Sequence, residues 1–162
     1  LLHSVLFFYK ELVKQLCKKV LSTENCNILR DRMAAVNKDL PANLRLASLK
    51  DRKMWIGREA RNFGLLAPFL LRGLVEEDHL DAWTLVATYF YMAYSPETNL
   101  GLARAISIVA DRMVQLVLEL YRAKDGKRRR QLNLHAPLHL GYFLEHHLMP
   151  TTFFDTDRSE AM

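Results

Sequence analysis

Only two cysteines occur in the 162 residues, Cys17 and Cys26. Their spacing matches neither a metal-binding nor a redox motif, which favours a reduced intracellular compartment over a disulfide scaffold. The sequence has no glycine-rich phosphate loop, nucleophile elbow, Cys-x-x-Cys pair or His-Glu-x-x-His motif, so a complete internal active site of these kinds has no support. No alternating apolar–polar run predicts a sheet, and no internal repeat or low-complexity tract interrupts the chain. Long apolar runs are missing too. The opening LLHSVLFFYKELV is broken by His3, Lys10 and Glu11, and it lacks a basic leader and a small-residue cleavage site. It therefore reads as neither a signal peptide nor a membrane span. There is no initiator methionine, and Met162 closes inside an expected helix. Both ends read as cuts in a longer protein.

What is present is apolar enough for one sizeable core, since half of the residues are hydrophobic, and it argues against disorder. Lys and Arg outnumber Asp and Glu by 23 to 18, a mild excess that permits a nucleic-acid partner without requiring one. From Leu2 to about Val20, apolar residues recur at helical steps through Val5, Leu6, Tyr9, Leu12, Val13 and Leu16. A second helix is predicted from Glu24 to Asn37, followed by a break at Leu40-Pro41-Ala42-Asn43. Ser48, with Asp51 three residues on, looks like a helix start. That helix carries Trp55, Glu59 and Phe63 and weakens at Gly64; Pro68 then opens a short apolar helix ending at Gly73. Glu76-Glu77-Asp78 favours the start of the next helix, through to about Tyr94. Ser95-Pro96-Glu97 opens the longest one, with Leu100, Ala103, Ile106, Ala110, Met113 and Val117 facing inward. The expected fold is all-α, an irregular bundle of roughly six or seven helices.

Candidate chemistry is sparse. His135 and His139 have the spacing of two ligands on one helical face. Pro137, suited to a first turn, is expected to leave His135 outside the helix, and capping or buried histidines are the favoured reading. Glu145, His146 and His147 follow one to two turns on. The loop Lys127-Arg128-Arg129-Arg130 can contact phosphates or simply be solvated, and the residues favour neither. Trp55 and Trp83 are expected in the core. Asp155, Thr156, Asp157 and Ser159 crowd a helix entry, and Glu160 in its first turn is a capping carboxylate, a metal ligand, or both.

Taken in order, these features resemble the C-terminal half of RNase-H-like DD(E) transposases of the CACTA-like group, particularly the fungal Plavaka-type elements. That family has a His shortly after its second catalytic aspartate, ahead of a hydrophobic helix, which Leu1-Leu2-His3-Ser4-Val5-Leu6 is similar to. Ser48 to Leu74 is similar to its tryptophan-and-glutamate helix. Leu120-Tyr121 and Asn133 to Leu140 match a Leu-Tyr helix end and an Asn-x-His-x-x-x-His-Leu block. Pro150, Phe153, Thr156-Asp157 and Glu160 follow the family's last segment in order, with Leu148-Met149-Pro150 where a Gly-Pro is usual.

The resemblance implies a helical insertion domain over residues 1–150 and the start of the terminal RNase-H-like segment over 151–162. It implies DNA cleavage and strand transfer by two Mg²⁺ (or Mn²⁺) ions held by three carboxylates in the complete parent. Glu160 would be the third carboxylate and a metal ligand, and His3 would orient the second aspartate or the scissile phosphate. Lys127, Arg128, Arg129, Arg130 and Arg158 would hold the DNA backbone. The fragment by itself is expected to bind no metal and to be inactive. DNA (transposon ends and target) is the implied partner, with homo-oligomerisation allowed, no membrane, and a nuclear location in a eukaryote. The alternative is a non-catalytic helical module for protein–protein or nucleic-acid interaction. In the first case His3 and Glu160 are expected to lie near each other, within about two helix diameters, on the order of 20 Å.

Overall fold

The computed structural model describes residues 2–55, 57–96, 99–120 and 135–147. Among these every regular element is helical: α1 (Leu2–Gln15), a π-helical turn (Leu16–Val20), α2 (Thr23–Val36), two 3-10 turns (Ala42–Leu44 and Leu49–Met54), α3 (Gly57–Leu71), α4 (Glu77–Ala93), α5 (Leu100–Leu120) and α6 (His135–His147). The all-α irregular bundle expected from the apolar periodicity is the observed fold. No described helix is long and apolar enough to cross a membrane.

Helices α3 to α6 pack side by side in chain order. The Arg61 guanidinium, early in α3, lies 4.8 Å from the ring centre of Tyr94, just past the end of α4, so those two helices run antiparallel. Arg104, early in α5, pairs with Glu145, late in α6, at 3.5 Å, which makes the second pair antiparallel as well. Helix α1 packs against both α3 and α6. Its inward stripe of Tyr9, Leu12, Val13 and Leu16 is buried. Tyr9 meets Trp83 and Phe90 of α4 edge-on, with ring centres 5.6 and 4.9 Å away. Each such fully buried large side chain contributes about 1.5–3 kcal/mol. The Lys14–Glu11 pair of α1, 2.8 Å apart, is partly solvated and worth about 0–1 kcal/mol. The core therefore dominates, and Trp55 and Trp83 lie in it as expected.

Polar side chains settle the connections. Ser22 caps α2 by accepting from the Asn25 N–H at 3.1 Å. Arg32 of α2 donates to the carbonyls of Leu70 and Arg72 at 2.8 and 2.7 Å, so a cation closes the negative end of α3. Asn37 exchanges two hydrogen bonds with the Leu46 backbone, at 2.9 and 2.7 Å. Asn62 of α3 donates to the carbonyls of Asn43 and Arg45. Together these asparagines clasp the linker that the Leu40–Asn43 break announces.

Three expectations differ from the structure. Ser48 does accept from a following N–H, that of Lys50, but it opens a 3-10 turn; α3 begins only at Gly57. Gly64 and Pro68 do not divide α3, which runs unbroken to Leu71. Gly64 instead marks a close approach: a Cβ there would lie 2.8 Å from Tyr9 Oη and 2.9 Å from Phe90 Cδ2. Gly73, at φ 74°, takes the left-handed conformation in the turn that follows α3. Finally, α5 starts at Leu100 rather than at Ser95-Pro96. Asn99 is its cap, accepting from the Leu102 N–H at 2.9 Å.

Candidate functional site

Most of the residues assigned a role by the resemblance lie outside the described residues: Glu160, Arg158 and the loop cations Lys127, Arg128, Arg129 and Arg130. So does the domain boundary at residue 150. His3 stands in the first turn of α1, and its side chain is likewise outside the described set. The expected proximity of His3 to Glu160 therefore falls there too.

The structure does describe the helix leading into the terminal segment. Helix α6 begins at His135, contrary to the expectation that Pro137 leaves that residue outside. The first-turn N–H groups of a helix have no intrahelical acceptor, so a proline at the third helical position loses no hydrogen bond. His135 and His139 are therefore four residues apart within one helix, and His139 is exposed. Pro137 is buried, and the Tyr89 hydroxyl of α4 donates to its carbonyl at 3.4 Å. Burial raises the Tyr89 phenol pKa far above its ordinary value, with a smaller push from Tyr94. The phenol thus stays a neutral donor that ties the first turn of α6 to α4.

Further along α6, the Tyr142 and His146 rings meet tilted at 53° with centres 4.2 Å apart, and Tyr142 is 63% exposed. Glu145 faces Arg104 across the α5–α6 seam. Both partners are well solvated, so the pair is worth about 0–1 kcal/mol and serves as a register mark. Among the described residues no group of three or more His, Cys, Asp or Glu could hold a metal ion. The carboxylate that the resemblance assigns to the metal, Glu160, lies outside the described residues.

Two features went unread in the sequence. His79, early in α4, is half-buried, and burial lowers its pKa below the ordinary 6.5 against the opposing pull of Asp78 and Glu76. Cys26 is brought against the Cys17 backbone: its thiol lies 4.0 Å from the Cys17 carbonyl oxygen. Nothing in a nine-residue spacing signals this. It arises because the chain reverses at Leu21-Ser22 between the π-helical turn and α2. No protein-family model matches the chain, nor does any curated protein or any solved structure.

Proposed function

We propose that this chain is the helical insertion segment of an RNase-H-like DD(E) DNA transposase, reaching to the final catalytic glutamate, Glu160. The observation that supports this reading is the packing of α1 against α6. The helix that begins beside His3 and the helix that leads toward Glu160 are neighbours, although nearly the whole sequence separates them. An insertion between two catalytic residues of one active site has to bring the chain back toward its point of departure, and a contact between the first and the last described helices supports that reading. The all-helical fold agrees with such an insertion.

In this reading Mg²⁺ supplies charge stabilisation in the complete parent. Glu160 is one ligand, His3 positions its neighbour, and Lys127, Arg128, Arg129, Arg130 and Arg158 hold phosphates. The test uses the full-length parent with Mg²⁺ and labelled DNA carrying the ends of its own element. Glu160→Ala is expected to abolish cleavage while leaving the circular-dichroism spectrum unchanged; cleavage that persists refutes the assigned role. Replacing Lys127, Arg128, Arg129 and Arg130 by Ala is expected to weaken DNA binding for all sequences and to flatten its salt dependence.

A second reading, a non-catalytic interaction module, draws on a different observation. Phe69, Tyr91, Ile108 and Tyr142 are large apolar or aromatic side chains exposed by 63–78%. That reading predicts a parent without Mg²⁺-dependent cleavage, so the same assay separates the two.

A further inference from the structure

We propose that the outer side of α1, together with the π-helical turn that ends it, is a phosphate-contacting face for double-stranded nucleic acid. Its cations are Lys10, Lys14, Lys18 and Lys19, none of which the resemblance assigns. The face involves neither Glu160 nor a metal, so it does not rest on the transposase reading. Charge is unevenly divided along the chain. Residues 1–75 hold 14 Lys and Arg against 6 Asp and Glu, a net charge of +8, whereas residues 76–120 hold 2 against 7, a net charge of −5. Such segregation draws a polyanion toward the basic segment.

Within that segment α1 offers a row. Tyr9, Leu12, Val13 and Leu16 are buried against the bundle, and Lys10, Lys14 and Lys18, at steps of four, lie off that stripe. The row from Lys10 to Lys18 is about 12 Å long, at about 1.5 Å per residue. A duplex carries one phosphate per strand about every 3.4 Å of its axis, so the row spans roughly three or four of them. Glu11 is the one acid within the row, and it is turned away: its side chain is 13% exposed, lies 2.8 Å from Lys14 and accepts from Gln15 at 2.7 Å. Lys14 is held by that pair, which leaves Lys18 and Lys19 as the strongest phosphate contacts.

The π-helical turn is what adds Lys19 to the face. Lys19 stands seven residues after Leu12 and three after Leu16, a spacing that in α geometry returns to the buried stripe. Leu16–Val20 is wound more widely, with the Leu21 N–H on the Leu16 carbonyl, five residues back, at 3.0 Å. In this turn Lys18 and Lys19 are both exposed, and π-turns of this kind recur at functional sites. The apolar side of α1 is buried in the bundle, whereas a helix that lies on a lipid surface inserts that side among the lipids. A nucleic-acid backbone needs only the charged side, and that is the side on offer.

The experiment measures binding of the chain to a fluorescent, random-sequence DNA duplex over a range of salt concentrations. Replacing Lys10, Lys14, Lys18 and Lys19 together by Gln is expected to weaken binding at low salt at least about tenfold and to reduce the salt slope by about 3–4. The same four replaced by Arg should bind as the unmodified chain does. A matched variant, with the exposed Arg30, Lys38, Arg45 and Lys50 changed to Gln, should lose much less. Equal losses in the two Gln variants would show diffuse attraction by net charge and overturn the proposal, as would no loss in the first. Lys127, Arg128, Arg129 and Arg130 are kept in every variant, so a failure here leaves their assignment untouched. Lysine acetylation of the unmodified chain, read by peptide mass, keeps the test decisive if a variant folds poorly. The duplex should protect Lys18 and Lys19 more strongly than Lys38 and Lys50, and equal protection refutes the face. Vesicles rich in phosphatidylserine should not displace the duplex; displacement would overturn nucleic acid as the partner.

Discussion

Gly64 carries more of the packing than any property of glycine in isolation suggests. Tyr9 Oη and Phe90 Cδ2 would lie within 2.9 Å of an added Cβ; both rings are buried and meet edge-on, and Tyr9 also meets Trp83 edge-on. Alanine there gains about 1 kcal/mol of helix propensity. Overpacking against rings that cannot withdraw costs about 1–3 kcal/mol, and the cost wins. Gly64→Ala is expected to lower the urea midpoint, corresponding to about 1 kcal/mol of stability, with an unchanged m-value. A rise in the midpoint would mean that α1 and α4 yield more easily than the geometry implies. Tyr9 matters for a second reason: its hydroxyl is buried with no hydrogen-bond partner among the described residues. What Tyr9 contributes to the core is its ring.

Helix α2 is weakly anchored by apolar contact: of its residues only Leu29 and Met33 are buried. Its attachment is polar. Arg32 bonds two carbonyls at the end of α3, and Asn25 donates to the Leu74 carbonyl beyond it at 2.9 Å. Hydrogen bonds from a charged donor contribute about 1.5–3 kcal/mol when buried, and partial exposure reduces that here. Arg32→Leu, which keeps an apolar stem, is expected to cost about 1–2 kcal/mol. It should also raise amide hydrogen exchange in the last turn of α3 and in α2, leaving α4 and α5 unchanged. Uniform exchange throughout the chain would show that α2 does not unfold as a separate unit.

For the molecule as a whole, two buried phenols set its behaviour in alkali. Burial raises the pKa values of Tyr9 and Tyr89 well above the ordinary 10.0. The unfolded chain releases these protons from about pH 10 upward, whereas the folded chain keeps them. Above that pH the unfolded state binds fewer protons, so stability that is fully present below pH 10 is lost as pH rises. Each phenol contributes a slope of about 1.4 kcal/mol per pH unit. Urea midpoints measured between pH 9 and 12 (about two units on the alkaline side of that value) should fall steeply. Tyr9→Phe should remove one phenol's share of the slope; an unchanged slope would show that the Tyr9 hydroxyl reaches water.

Helical class, the apolar stripes of α1 and α5 and the core tryptophans follow from local periodicity, which acts within a few residues. The sequence by itself therefore determined that this protein is a bundle and roughly where most helices lie. It also supplied the candidate carboxylate Glu160 and the basic residues Lys127–Arg130, which lie outside the described residues, and His3, whose position in α1 is described but whose side chain is not. Only the tertiary structure decided that Gly64 is a contact point rather than a helix end, that His135 belongs to α6, that α1 lies against α6, and that Cys26 lies against the Cys17 carbonyl. Each depends on which surfaces face each other across long stretches of chain, and residue-by-residue preferences carry no information about that.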